Sequence, residues 1–151
     1  MRKTAMAVKL LERGIFQRLF GLPATPTPAM PGCWRYLEGK LVIDLDAAAE
    51  LQKPGGALRF EGGNLPRRVL VVHAEDGHFR AFDNRCTHFG HRRIDPVPGT
   101  ESVQCCSLNK STYSTTGEKI HGPASKPVVT YPVVSDGMRL VVRLIGLPSN
   151  L

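Results

Sequence analysis

No apolar stretch in the 151 residues approaches the ~20 needed to cross a bilayer as a helix. No secretory leader is expected either. Met1-Arg2-Lys3 begins like one, but Lys9, Glu12 and Arg13 interrupt any hydrophobic segment, so a cytoplasmic chain is expected. Acidic residues are the minority, 13 against 20 Lys and Arg, which leaves a net charge of +7. That excess suits acidic protein partners or anionic lipid. Basic residues do not interleave with aromatics, which argues against nucleic acid. Cysteines number only four. In a reducing compartment thiols stay free, and clustered ones point to metal or redox work. A disulfide between the neighbours Cys105 and Cys106 would be strained. Internal repeats are absent, and the remaining composition, 42% apolar and 22% charged, is that of one globular domain with an appendage.

Along the chain, Met1–Gly21 carries Val8, Leu11, Ile15 and Leu19 on one helical face, widened by Leu10, Phe16 and Phe20; Lys9, Arg13, Gln17 and Arg18 lie elsewhere. An amphipathic basic helix is expected over 1–21, ending in glycine. It would dock on a redox partner, lie on a membrane surface or fold back on its own domain. Its removal is expected to leave any metal centre unchanged. Residues 22–32 hold Pro23, Pro26, Pro28 and Pro31 and should run extended as a linker.

The domain proper spans 33–151. Cys33 reads as a small buried hydrophobe. Strands are expected at 41–43, 57–60, 69–72, 79–82, 103–105, 128–134 and 140–144, with a short helical turn over 47–51 capped by Asp46. Glu75-Asp76-Gly77 and Asp136-Gly137 read as hairpin turns. Many short strands with frequent turn signals describe a mainly β, antiparallel sandwich or barrel.

Two loops carry the chemistry. One, over 84–94, contains Cys86-Thr-His88-Phe-Gly-His91; the other, over 104–124, opens Cys105-Cys106-Ser-Leu-Asn109-Lys110-Ser111-Thr-Tyr113 and closes Gly122-Pro123-Ala124. Thiols and an imidazole converging from two loops are a donor set for a small metal centre. A thiol nucleophile with a histidine base is the weaker alternative, because the spacing favours chelation and no orienting third group is evident.

This pattern resembles the Rieske [2Fe-2S] domain family, which pairs Cys-x-His with Cys-x-x-His and splits two thiolates and two imidazoles between two irons. The resemblance covers roughly 41–144, and 106–124 aligns with it ungapped. It implies a [2Fe-2S] cluster in a loop subdomain. Cys86 and Cys106 would be the thiolates and His88 one imidazole. Ser111 and Tyr113 would give hydroxyls to the sulfurs, and Gly122-Pro123 would sit in a shielding loop. The family's second histidine position is occupied by Asn109, a poor ligand for iron. Cys105, His91, Asn109 and Lys110 stand open as fourth donors, with Cys105 the one carried forward. His91 and Leu108 occupy the positions of the respiratory subtype's disulfide.

The resemblance implies a small electron carrier, or a subunit of a larger oxidoreductase complex, and not a catalyst in its own right. Only 27 residues follow Ala124, so an oxygenase's non-haem iron domain is not expected in this chain. A Rieske-fold scaffold, metal-free or zinc-bound, is the alternative.

Overall fold

The computed structural model describes residues 14–87, 92–107, 110–124 and 126–144. Among the described residues a short helix α1 (Ile15–Leu19) precedes twelve strands. They are β1 (Trp34–Leu37), β2 (Lys40–Asp44), β3 (Ala57–Phe60), β4 (Val69–His73), β5 (Phe79–Asp83), β6 (Ile94–Pro96), β7 (Ser102–Cys105), β8 (Thr112–Ser114), β9 (Lys119–His121), β10 (Thr130–Tyr131), β11 (Val133–Ser135) and β12 (Arg139–Arg143). They form three antiparallel four-stranded sheets ordered β1-β2-β12-β11, β10-β5-β4-β3 and β6-β7-β8-β9. The architecture is the mainly β, antiparallel one expected.

The sheet built on β4 is the middle layer, and its sequence explains why. Val69, Leu70, Val71 and Val72 form an unbroken apolar run, which a strand tolerates when both faces are covered. Val69 and Val71 pack with Leu41, Ile43, Leu140 and Val142 of the first sheet. Leu70 and Val72 turn the other way, onto Ile94, Val103, Cys105 and Tyr113 of the third. Each such side chain contributes about 1.5–3 kcal/mol when fully buried. The second of these cores is the floor on which the two cysteine-bearing loops stand.

Several local expectations are corrected. The strand expected over 128–134 breaks at Pro132, which has no amide proton to give to a ladder. β10 therefore pairs with β5, and β11 with β12 in another sheet. Asp46 caps no helical turn. A 3₁₀ turn over Ala49–Leu51 begins after Ala48 with no side-chain cap, and the Asp46 amide itself donates to the Asp44 carboxylate at 3.0 Å.

In the N-terminal segment, Gly21 at φ 65° ends α1. Its amide reaches Arg18 O at 3.1 Å and the Leu22 amide reaches Gln17 O at 2.9 Å, a Schellman closure. The helix turns its polar side inward. Arg18 is buried, whereas Ile15, Phe16, Leu19 and Phe20 are exposed. The proline-rich residues are seated along the domain, with Ala24 and Thr25 amides on the Asp95 carboxylate and the Arg59 amide on Pro26 O. Among the described residues no helix is long and apolar enough to cross a membrane.

Candidate metal centre

The first loop leaves β5 at Asp83 and is fixed at its base by buried Asn84. Its Oδ1 accepts the Ile94 amide at 2.8 Å, and its own amide donates to Arg68 O. The Cys86 amide then reaches across to Arg92 O at 2.6 Å, drawing the ends of the His88-containing segment together. Cys86 is buried, with its Sγ 3.3 Å from the Tyr113 hydroxyl. The same hydroxyl accepts the Thr87 amide at 3.1 Å and lies 3.0 Å from the Thr87 hydroxyl. Burial, then the contact with Cys86, pushes the Tyr113 phenol well above its ordinary range, so it remains a neutral donor.

The second loop leaves β7 at Cys105, whose amide bonds Ser111 O at 2.7 Å. This pins residue 105 to residue 111 and makes a tight excursion between them, with Lys110 in the left-handed region at φ 54°. Strand alternation separates the two adjacent thiols. Cys105 lies with Val103 in the inner apolar cluster that also contains Cys86 and Tyr113. Cys106 is equally buried, and its Sγ donates to Gly21 O at 3.2 Å. Burial first, then the neighbouring Cys105 and Asp95 charges, push the Cys106 thiol up to about 11, so without a bound cation it is protonated at neutral pH. A metal ion reverses that balance and takes the thiolate.

The segment Gly122–Ala124 packs against Ser111 of the second loop. The Ala124 amide donates to Ser111 Oγ at 3.1 Å, and both residues are buried. Gly122, at φ 93°, lies so close that a Cβ there would stand 2.6 Å from Ser111 Cα. Pro123 is exposed beside it. The adjacent arginines are internally engaged. Arg93 grips Glu61 through Nε and Nη2, and Arg92 donates to Phe20 O at 2.6 Å.

Cys86, Cys105, Cys106, Ser111, Tyr113, Gly122 and Pro123 thus occupy the two loops and their cover, with Cys86, Cys105 and Tyr113 on one shared floor. His88, His91, Leu108 and Asn109 lie outside the described residues. The donor chemistry fits an iron–sulfur group at its inner end, where buried thiols sit beneath a hydroxyl 3.3 Å from the Cys86 sulfur. Sequence reasoning missed Thr87, Gln104 and Asp95, which carry no pattern of their own, and among its options for the N-terminal segment it did not single out Arg18. Arg18 donates to Cys105 O and Ser107 O, so the described end of that segment is bonded to the second loop.

Among proteins of known role, this chain is 28% identical to the ferredoxin component of the naphthalene 1,2-dioxygenase system of Pseudomonas aeruginosa over 101 residues, covering 66% of this chain and 94% of that one. Of solved structures, the ferredoxin of carbazole 1,9a-dioxygenase from Nocardioides aromaticivorans IC177 superposes with a TM-score of 0.53 at 25% identity, over 68% of this chain and 93% of that one. The cyanobacterial plasma membrane Rieske protein from Synechocystis PCC 6803 gives 0.51 at 26%, over 63% and 92%. The model of the Rieske [2Fe-2S] domain matches residues 42–132, a span that takes in both cysteine-bearing loops and the middle sheet beneath them. On that match the chain belongs to the Rieske [2Fe-2S] domain family.

Proposed function

We propose that this chain is a small one-electron carrier holding a single atypical [2Fe-2S] cluster. Cys86 and Cys106 would supply its thiolates and His88 an imidazole, and Cys105 would be the donor that replaces the missing histidine. The observation that carries the reading is the buried Cys86 sulfur under the Tyr113 hydroxyl, 3.3 Å away, inside a family-matched domain. When bound, such a cluster accepts and releases one electron. The chain's own groups do the rest. Tyr113 donates to the Cys86 sulfur, Ser111 orients the second loop through the Ala124 amide, and Gly122, Pro123 and Ala124 keep water from it.

The partner is a redox protein, by analogy with the ferredoxin components of dioxygenase systems that the chain resembles. Docking occurs through residues 1–21, where the exposed Ile15, Phe16, Leu19 and Phe20 offer an apolar face to a partner or to a membrane surface. A cytoplasmic address accords with four cysteines that are all free.

Visible absorption and electron paramagnetic resonance of the anaerobically purified protein test the proposal. Cys86→Ser abolishes the iron–sulfur bands, and Cys105→Ala shifts the resonance of the dithionite-reduced protein. Colourless protein that contains zinc overturns it in favour of a structural metal, and colourless protein without metal in favour of a scaffold.

A further inference from the structure

The outer face of the third sheet is polar yet buried. Asp95, Gln104 and Thr112 are each fully covered, and they are cross-strand neighbours, Asp95 opposite Gln104 and Gln104 opposite Thr112. Period-2 alternation normally gives such a face to solvent. Here the segment Arg18–Thr25 lies across it. Arg18, Gly21 and Thr25 are the buried residues of that segment, and each is bonded to the loops or to β6.

We infer that residues 18–25 form a non-covalent clasp that holds the two cysteine-bearing loops together around Cys106, with Arg18 and Asp95 as its positioning residues. The Arg18 guanidinium donates through Nη1 to Cys105 O at 3.3 Å and to Ser107 O at 3.1 Å, the carbonyls on either side of Cys106. Its Nη2 donates to Gln104 Oε1 at 2.9 Å. Gln104 passes the connection on, Nε2 to the Thr112 hydroxyl at 2.9 Å, and that hydroxyl bonds Lys110 O at 3.0 Å. One cation therefore fixes both the departure and the return of the second loop.

The first loop is held from the same segment. Arg92 donates to Phe20 O at 2.6 Å. The Asp95 carboxylate accepts the Ala24 amide at 2.9 Å and both the amide and the hydroxyl of Thr25, at 2.9 and 2.8 Å. Thr25 O accepts Arg59 Nε at 2.7 Å. Arg59 and Arg93 share Glu61, and Arg93 O receives the Cys106 amide at 2.9 Å. The bonds close a ring from the first loop through the clasp to Cys106. Residues 18–25 lie outside the 42–132 family match, whereas Asp95, which receives them, lies inside it. That it serves a metal centre rests on the electron-carrier reading; that it fixes Cys106 does not.

Cys33, buried in the far core, provides an internal control for global unfolding. Full-length protein as purified is treated with iodoacetamide and an iron chelator, and labelling of Cys106 and Cys33 is followed by mass spectrometry. Arg18→Met raises the Cys106 rate about tenfold or more with the Cys33 rate unchanged, and it speeds bleaching of any visible absorption by a similar factor. Asp95→Asn gives the same pattern, and is the variant to use if Arg18→Met does not fold. Cys106 labelling that stays at the wild-type rate, or that rises in step with Cys33, overturns the clasp. Colourless wild-type protein overturns the electron-carrier reading while the labelling comparison still decides the clasp.

Discussion

Replacing Tyr113 with phenylalanine removes one oxygen from the best-defined contact of the centre and leaves the ring in its core. The proton arrangement fixes the consequence. Thr87 Oγ1 donates its proton to Lys126 O at 2.7 Å, so in its 3.0 Å contact with Tyr113 the tyrosine is the donor. In the metal-free chain the phenol therefore accepts from the Thr87 amide and the Cys86 thiol and donates to Thr87. Once Cys86 is a thiolate it has no proton to give, and the tyrosine proton turns to the sulfur. Phenylalanine leaves the Thr87 amide without its acceptor, which costs about 1–3 kcal/mol. At about 2 kcal/mol the melting midpoint falls by roughly 4–8 °C for a chain of this size. With Cys86 ligating the proposed cluster, its sulfur would lose a hydrogen bond, so the cluster would hold an added electron less well and the reduction potential would drop. Calorimetry and a dye-mediated redox titration read the two effects. A midpoint shifted by less than ~1 °C together with an unchanged potential would refute the geometry assigned to this hydroxyl.

Asn109→His places an imidazole three residues after Cys106. It is expected to move the resonance toward that of a two-histidine centre and to raise the potential, because a neutral ligand replaces a thiolate; identical spectra would count against the loop alignment. Gly122→Ala forces a Cβ to within 2.6 Å of Ser111 Cα at φ 93° and should cost about 1–3 kcal/mol, seen as a lower denaturant midpoint. Glu61 is pushed up by burial, but its hydrogen bonds to Arg93 and Arg59 pull it further down, for a net lowering. Its contribution is thus present above the ordinary glutamate value and lost as pH falls through the depressed folded value. Glu61→Gln should therefore be less stable near neutrality and show a flatter loss of stability below pH ~4, measured by urea titration across pH.

The middle sheet was legible because Val69–Val72 has no polar residue to turn outward, and the structure buries it on both sides. The cysteine loops were legible for a different reason, a ligand pattern that lies in the chain at fixed spacing. β6 was not, since Ile94-Asp95-Pro96 offers one apolar side chain, and its aspartate is buried only because amides of Ala24 and Thr25 reach it. Helical periodicity set the apolar residues of the N-terminal segment on one face with Arg18 off it, and left open whether the segment folds back on its own domain. Arg18 goes in, because the surface it meets is made of carbonyl oxygens and Gln104. Long-range polar complementarity of this kind leaves no periodic trace in a single sequence.

Iron and acid-labile sulfide counted per chain in anaerobically purified protein bear most directly on the central claim, that two thiol-bearing loops grip a binuclear iron centre. About two irons and two sulfides, in red-brown protein, are predicted. Neither iron nor sulfide in a folded, colourless chain would contradict it.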